Sequence, residues 1–133
     1  MIKKIIVQST VLAFAAMTFT FVLPYSSAQA SDAYIRYDIK ADKADSGYPK
    51  EINQKTWPGV WTYSIGATTN WGNGKAYFFR GSGYIRYDIK ADKADPGYPK
   101  AINQETWPGV WRNGIDAATN WGNGKAYFFP LVK

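Results

Sequence analysis

The sequence contains no cysteine and no histidine. The missing cysteine excludes disulfides, thiolate metal sites and cysteine nucleophiles, although exported chains of this size often depend on disulfides. The missing histidine excludes a Ser-His-Asp triad, histidine-ligated zinc and the usual axial ligand of haem. Carboxylates are present, but nothing marks an acid–base pair, and no Gly-x-Ser-x-Gly pattern accompanies them. We therefore predict that the protein is not an enzyme and has no catalytic residues.

Clusters of one charge are also missing. The chain has 16 basic and 10 acidic residues, a formal net charge of +6, and the two signs are interspersed. Such a pattern does not indicate a nucleic-acid partner. It is typical of a solvated basic surface, and an anionic ligand remains the alternative.

The first 30 residues are predicted to be a secretory signal peptide. Two lysines near the start precede an apolar run at residues 11–23, and Ala28-Gln29-Ala30 is a small-x-small cleavage site. The apolar run is short for a membrane span, which disfavours an uncleaved anchor, and no second candidate span follows. The mature chain is then residues 31–133, and its predicted location is extracellular or periplasmic.

What the sequence does have is an internal repeat. Residues 34–80 align without a gap with residues 84–130 at an offset of 50, and 38 of the 47 pairs are identical. A period near 50 is that of one four-stranded propeller blade. The strands predicted in the middle unit are residues 65–68, 75–79 and 84–88, with a short outer strand after the turn at 91–97. The fold class is therefore all-β.

The order of the predicted strands divides one blade between the two ends of the chain. Strands three and four begin near Tyr34, a complete unit covers residues 65–111, and strands one and two of a further unit end near Phe129. Two blades cannot close a propeller, which takes four to eight, and open strand edges promote association. We therefore predict a strand-exchanged homodimer with four blades about a two-fold axis. The alternative is a two-bladed monomer in which the ends of one chain pair.

An aspartate series follows the third strand of each unit. In the second unit it comprises Asp88, Asp92 and Asp95, and it recurs 50 residues earlier. The spacing does not match that of a calcium-binding loop, and interleaved lysines lower the negative potential. This segment is predicted to be a solvated turn.

Several segments resemble a hemopexin repeat, and they follow one another in the order and spacing of that family. Those segments are residues 115–118, 124–129, 84–88, 95–100 and 107–109. The resemblance covers nearly all of the predicted mature chain, and among exported bacterial proteins it is closest to the photopexin-like group. It implies a four-bladed β-propeller of which this chain, with repeat units of about 34–80 and 84–130, supplies half.

The chain departs from this family in three respects. Ile35 and Ile85 stand where family repeats often have tryptophan. The disulfide of the animal members cannot form, and there are two repeats where most members have four.

The resemblance also implies an ion site, because family members hold calcium or sodium with backbone carbonyls at the start of the innermost strands. Oxygen ligands of this kind suit calcium. The alternative is that Asp116 only orders the start of its strand; Gly66 replaces it in the first unit. The implied ligands are Ile65, Gly66, Ala67, Ile115, Asp116 and Ala117.

The predicted function is an exported, non-catalytic binding module that engages an extracellular or host partner. Trp71 and Trp121 are the candidates for an exposed ligand surface, with packing in the core as the alternative. The other function classes are a small-ligand scavenger of iron or haem, and a lectin-like adhesin that binds glycans through these two tryptophans. Without histidine, classical haem sequestration is not expected.

Overall fold

The computed structural model describes residues 30–130. The predicted signal peptide therefore lies outside the described residues, apart from Ala30, and remains a prediction. Within residues 30–130, no helix has the length and apolar character needed to cross a membrane.

Eleven antiparallel strands form the described part of the chain. In order they are β1 (Ala33–Tyr34), β2 (Tyr37–Asp38), β3 (Lys43–Ala44), β4 (Lys50–Glu51), β5 (Ala67–Asn70), β6 (Lys75–Arg80), β7 (Gly83–Asp88), β8 (Lys93–Ala94), β9 (Lys100–Ala101), β10 (Ile115–Asn120) and β11 (Ala126–Pro130).

One complete blade occupies the middle of the chain. Strands β5, β6 and β7 are neighbours in one sheet, and β8 and β9 both pair with β7 along its outer edge. The outer strand of the blade is therefore two short pieces, separated by the turn around Pro96 and Gly97. This arrangement confirms the four strands predicted from the repeat, although the first begins at Ala67 and not at Ile65.

Two tight turns make the blade possible. Between β5 and β6, the amide of Trp71 donates to the carbonyl of Lys75 over 2.8 Å, and Gly72 and Gly74 both have φ of 83°. These left-handed conformations favour glycine, because it has no side chain to clash with the backbone. Between β6 and β7, Arg80 pairs directly with Gly83 across a two-residue link.

Half-blades lie at the two ends of the described chain. At the N-terminal end β1 pairs with β4 and β2 with β3, which are strands three and four of a unit. At the C-terminal end β10 pairs with β11, which are strands one and two. Within residues 30–130 the two half-blades form separate sheets. The predicted division into half, complete and half blade is thus present, and the open sheets fit half of a propeller.

Aromatic cores fill both flanks of the complete blade. The first core contains Val60, Phe78, Ile85 and Tyr87 and borders the N-terminal half-blade through Trp57. The second core borders the C-terminal half-blade, and Trp107 and Phe128 pack against it; its buried members are Ala67, Phe79, Tyr84, Ile102 and Ile115. Burial of this apolar surface is the main stabilising contribution to the fold.

The aspartate series is not simply a solvated turn, as the sequence predicted. The Lys75 ammonium lies 2.8 Å from Asp88 and 2.9 Å from Asp95, whose side chain is largely buried. Arg86 donates to the same Asp95 carboxylate. The sequence of the turn gives no sign of these ion pairs, because their lysine, Lys75, lies on a different strand, β6.

Candidate binding groove

A groove of about 350 Å³ opens beside Trp57 in the complete blade. The start of β6, the end of β7 and the strand β5 supply most of its wall. We call it the Trp57 groove; it is lined by Trp57, Thr68, Thr69, Asn70, Ala76, Tyr87, Ile89 and Asp92. It combines aromatic surface with a hydroxyl, an amide and a carboxylate.

The Trp57 ring is held by a local turn and by its aromatic neighbours. Its backbone amide donates to the carbonyl of Asn53 over 2.8 Å. The ring lies edge-on to Tyr34 and Phe78, each with a centroid distance of 5.4 Å, and tilted against Tyr87 at 5.3 Å. Such contacts stabilise the ring in one orientation.

The indole N–H of Trp57 has no such partner. Its Nε1 atom is buried and makes no hydrogen bond within residues 30–130, and the same is true of Trp107 Nε1 in the second repeat. A buried donor without an acceptor is costly, so native structures usually satisfy it with protein, water or a ligand. Both indole nitrogens are therefore unsatisfied donors enclosed by the protein, while other atoms of the two residues line the grooves.

Tyr87 and Asp92 form the polar pair of the groove. The Tyr87 hydroxyl donates to Asp92 Oδ1 over 2.8 Å. Burial, followed by this hydrogen bond, raises the pKa of Tyr87 far above the ordinary tyrosine value. The phenol therefore stays neutral at physiological pH and holds the carboxylate in place.

A second groove, of about 520 Å³, lies beside Trp107 between the complete blade and the C-terminal half-blade. Its wall includes Trp71, Asn120, Lys125 and Phe128. We call it the Trp107 groove. It corresponds by the repeat to the Trp57 groove, but no ring takes the place of Tyr87 in the described residues.

The two tryptophans predicted to form a ligand surface differ in their surroundings. Trp71 is half-buried and lies edge-on to Trp107, with a centroid distance of 5.5 Å, so it belongs to the wall of the Trp107 groove. Trp121 is exposed, and its one aromatic neighbour among the residues described is Tyr127, at a centroid distance of 4.4 Å. The structure does not bring the two rings into one site.

The residues implied as ion ligands lie on, or just before, the strands β5 and β10, which contact each other. Gly66 precedes β5 and lies so close to the carbonyl oxygen of Ile115 that a Cβ atom there would approach it to 2.5 Å. Asp116 sits at a register shift in β10 and is exposed. The described residues contain no cluster of three acidic side chains that could hold a metal. A site made of backbone carbonyls remains a prediction.

Sequence reasoning missed the Trp57 groove. The ring contacts show that Trp57 and Trp107 pack between blades. Sequence reasoning could not show that their N–H groups lack acceptors, because that depends on which carbonyls surround each ring in three dimensions. The only signal was indirect: both tryptophans recur at the same place in the repeat.

The hemopexin family model matches residues 65–111. This range contains the complete blade and the turns that follow it. The chain is built of hemopexin-like repeats. No curated protein sequence matches the chain.

Three solved structures that this chain resembles are plant proteins. A hemopexin fold protein from cow pea is 24% identical, with a TM-score of 0.58 over 75% of this chain and 48% of its own. A seed albumin from Lathyrus sativus is 26% identical, with a TM-score of 0.59 over 73% and 47%. A plant albumin from Cicer arietinum, described as showing hemagglutination, is 28% identical, with a TM-score of 0.56 over 73% and 47%. The chain spans about half the length of each.

Proposed function

We propose that this chain is an exported, non-catalytic binding module that engages an extracellular partner through the Trp57 groove. The observation that carries the proposal is the groove of about 350 Å³, in which the aromatic side chains of Trp57 and Tyr87 lie beside the carboxylate of Asp92. Ligand sites are typically concave, mostly apolar and equipped with a few placed polar groups. The groove has this character.

Binding without catalysis agrees with the state of the nearby carboxylates. Asp92 accepts a hydrogen bond from Tyr87, and Asp88 and Asp95 are bound to Lys75. These groups are occupied in holding the blade together. A glycosidase would instead need two carboxylates on either side of the scissile bond.

A glycan is the partner chemistry that the groove fits best. Sugars offer apolar faces to aromatic rings, and their hydroxyl groups can donate hydrogen bonds to a carboxylate such as that of Asp92. Thr68 and Asn70 add further polar atoms at the wall. The hemagglutination recorded in the description of the Cicer arietinum albumin supports this choice.

The test is glycan binding by purified protein and by its Trp57→Phe variant. Phenylalanine keeps an aromatic ring in the core but offers a smaller aromatic surface to the groove, so we expect about tenfold weaker binding on a glycan array, with the fold retained by circular dichroism. Trp111→Phe, at an exposed ring, is the matched control and should bind as the parent does. Unchanged binding by Trp57→Phe would refute the proposed site.

Two further measurements separate the other function classes. Trp121→Ala tests the adhesin surface predicted from the sequence, because Trp121 lies outside both grooves. Haem titration tests the scavenger class, which requires a Soret shift on mixing. A Soret shift, together with no binding on the glycan array, would identify haem and not a glycan as the ligand.

A further inference from the structure

Identical residues of the two repeats differ sharply in exposure. Each exposed residue lies in a half-blade, and its buried counterpart lies in the complete blade. The exposed fractions are 1% for Ile85 and 60% for Ile35, 2% for Tyr87 and 52% for Tyr37, and 0% for Phe79 and 53% for Phe129. Ile35 and Tyr37 lie in one half-blade and Phe129 in the other, so both half-blades expose large apolar side chains of the kind that mark interaction surfaces.

Two of these exposed side chains, Phe129 and Tyr37, have a matching cavity elsewhere in the chain. Phe79 fills the space beside Tyr84, Ile102 and Trp107 in the second core. The corresponding space is a cavity of about 480 Å³, whose wall includes Tyr34, Ile52 and Trp57. Its repeat-equivalent occupant is Phe129, which projects from the other half-blade.

The Trp107 groove is likewise a space whose equivalent in the complete blade is filled by a side chain. In the complete blade the Tyr87 ring lies 5.3 Å from Trp57 and 5.7 Å from Phe78. The equivalent position, against Trp107 and Phe128, is the Trp107 groove. Its repeat-equivalent occupant is Tyr37.

Charged residues of the half-blades lack, within the described residues, ion pairs that their repeat equivalents form in the complete blade. Lys75 joins β6 to Asp88 and Asp95 in the complete blade. Its equivalent, Lys125, forms no salt bridge within the described residues, and Asp45 is paired only with Arg36.

We propose that a second copy of this chain supplies the missing half of each divided blade. Strand β11 of one copy pairs with residues 33–38 of the other, as β6 pairs with β7. The register follows from the β6–β7 pairing when each residue is replaced by its repeat equivalent, 50 residues later for β6 and 50 residues earlier for β7. Lys125 then lies opposite Asp38, Tyr127 opposite Arg36 and Phe129 opposite Tyr34. Lys125 then joins Asp38 and Asp45 across the interface.

A second copy fits this role better than the other end of the same chain. The N-terminal half-blade packs on the first core and the C-terminal half-blade on the second, so the complete blade lies between them. Two copies related by a two-fold axis complete both divided blades at once and give the four blades that close a propeller. The inference goes beyond the proposed binding function and does not depend on it.

The register is tested by disulfide trapping, which the cysteine-free chain allows without background. Facing residues of adjacent strands have the separation that a disulfide requires. Arg36→Cys with Tyr127→Cys should give a covalent dimer on a non-reducing gel after mild oxidation. The control, Ile39→Cys with Tyr127→Cys, is three residues out of register and should not. A cross-link within single chains would overturn the second copy as the partner.

The interface is tested by sedimentation of the protein and two aspartate variants. Ile35→Asp should raise the dissociation constant of the dimer by about 100-fold, because its equivalent Ile85 is buried. Ile39→Asp is the matched control: Ile89, its equivalent, remains 44% exposed in the complete blade, so the dimer should persist. A parent protein that is monomeric at micromolar concentration, or forms open polymers, would refute the closed dimer. Disulfide trapping decides the matter if Ile35→Asp does not fold.

Discussion

The Lys75 ammonium nitrogen lies 2.9 Å from both carboxylate oxygens of Asp95, which is twenty residues further along the chain. Arg86 donates to the same carboxylate over 2.5 Å. The hydrogen bond from Lys75, with a further one from Arg86, lowers the pKa of the Asp95 carboxyl despite its burial. This cluster fastens the inner strand β6 to the turn between the two outer pieces, β8 and β9.

Asp95→Asn should destabilise the protein and change its response to acid. The folded-state pKa of Asp95 is lowered, so its stabilising contribution is present above the ordinary aspartate range and is lost as pH falls through the lowered value. At neutral pH we expect the melting temperature to fall by about 4–8 °C. Between about pH 6 and pH 2 the variant should lose less stability than the parent.

Thermal melts across this pH range measure both effects. Asp116→Asn is the control, because Asp116 is exposed and has no salt bridge within the described residues. Parallel acid curves for the parent and Asp95→Asn would contradict the role given to the cluster.

The free energy of unfolding of the Tyr87→Phe variant should fall less steeply with rising alkaline pH than that of the parent. The pKa of Tyr87 is raised by burial and then by its hydrogen bond to Asp92. Its contribution to stability is therefore complete below the ordinary tyrosine pKa of about 10 and decreases as pH rises above it, because only the unfolded chain ionises readily. Denaturant unfolding from neutral pH to about pH 11 should show a shallower loss for Tyr87→Phe than for the parent. The same slope in both proteins would show that another group controls the alkaline limb.

The repeat made the architecture predictable, because 38 identities in 47 pairs require two similar units. The tyrosine- and phenylalanine-rich segments became β6 and β7 as expected. Local sequence did not decide strand length, however. Residues 83–88 form one six-residue strand, whereas residues 33–38, which differ only by Ala33 in place of Gly83, form two fragments, β1 and β2. Strand continuity depends on a neighbouring strand, and β6 has no counterpart beside β1 and β2 in the described chain.

The candidate site was less predictable than the fold. Trp71 and Trp121 appear equivalent in sequence, yet one is half-buried and the other exposed, because their surroundings come from different parts of the molecule. The Trp57 groove is formed by side chains from three strands and from the loops beside them, and periodicity does not reveal which of these side chains come together.

Thr106→Ala should destabilise the loop that precedes Trp107. The Thr106 hydroxyl donates to the carbonyl of Ala101 over 2.7 Å and accepts from the amide of Asn103 over 3.0 Å. Loss of these bonds should cost about 1 kcal/mol of unfolding free energy, measured by urea denaturation. Thr106→Ser keeps the hydroxyl and should retain most of the stability. If serine and alanine destabilise equally, the methyl group and not the hydroxyl is responsible.

Gly66→Ala should separate the complete blade from the C-terminal half-blade. The new Cβ would lie 2.5 Å from the carbonyl oxygen of Ile115, a backbone atom that cannot turn away. We expect a loss of about 1–3 kcal/mol in the free energy of unfolding, as for other overpacked sites. Asp116→Ala, at the equivalent position of the other repeat, should have little effect because that side chain is exposed. A fully stable Gly66→Ala variant would mean that β5 and β10 are not this closely packed in solution.

The ion site implied by the resemblance can be tested through stability. Backbone carbonyls near Gly66 and Ile115 lie on neighbouring strands, and an ion held there would bind only the folded chain. Calcium at a hundredfold excess over its dissociation constant would then add about 2.7 kcal/mol to the unfolding free energy. We expect the melting temperature to rise with calcium and to return to its starting value with a chelator, and Asp116→Asn to reduce the rise by removing a nearby negative charge. Sodium chloride at matched ionic strength distinguishes a specific site from screening. Identical melting temperatures with calcium, with sodium and with a chelator would exclude an ion that stabilises this fold.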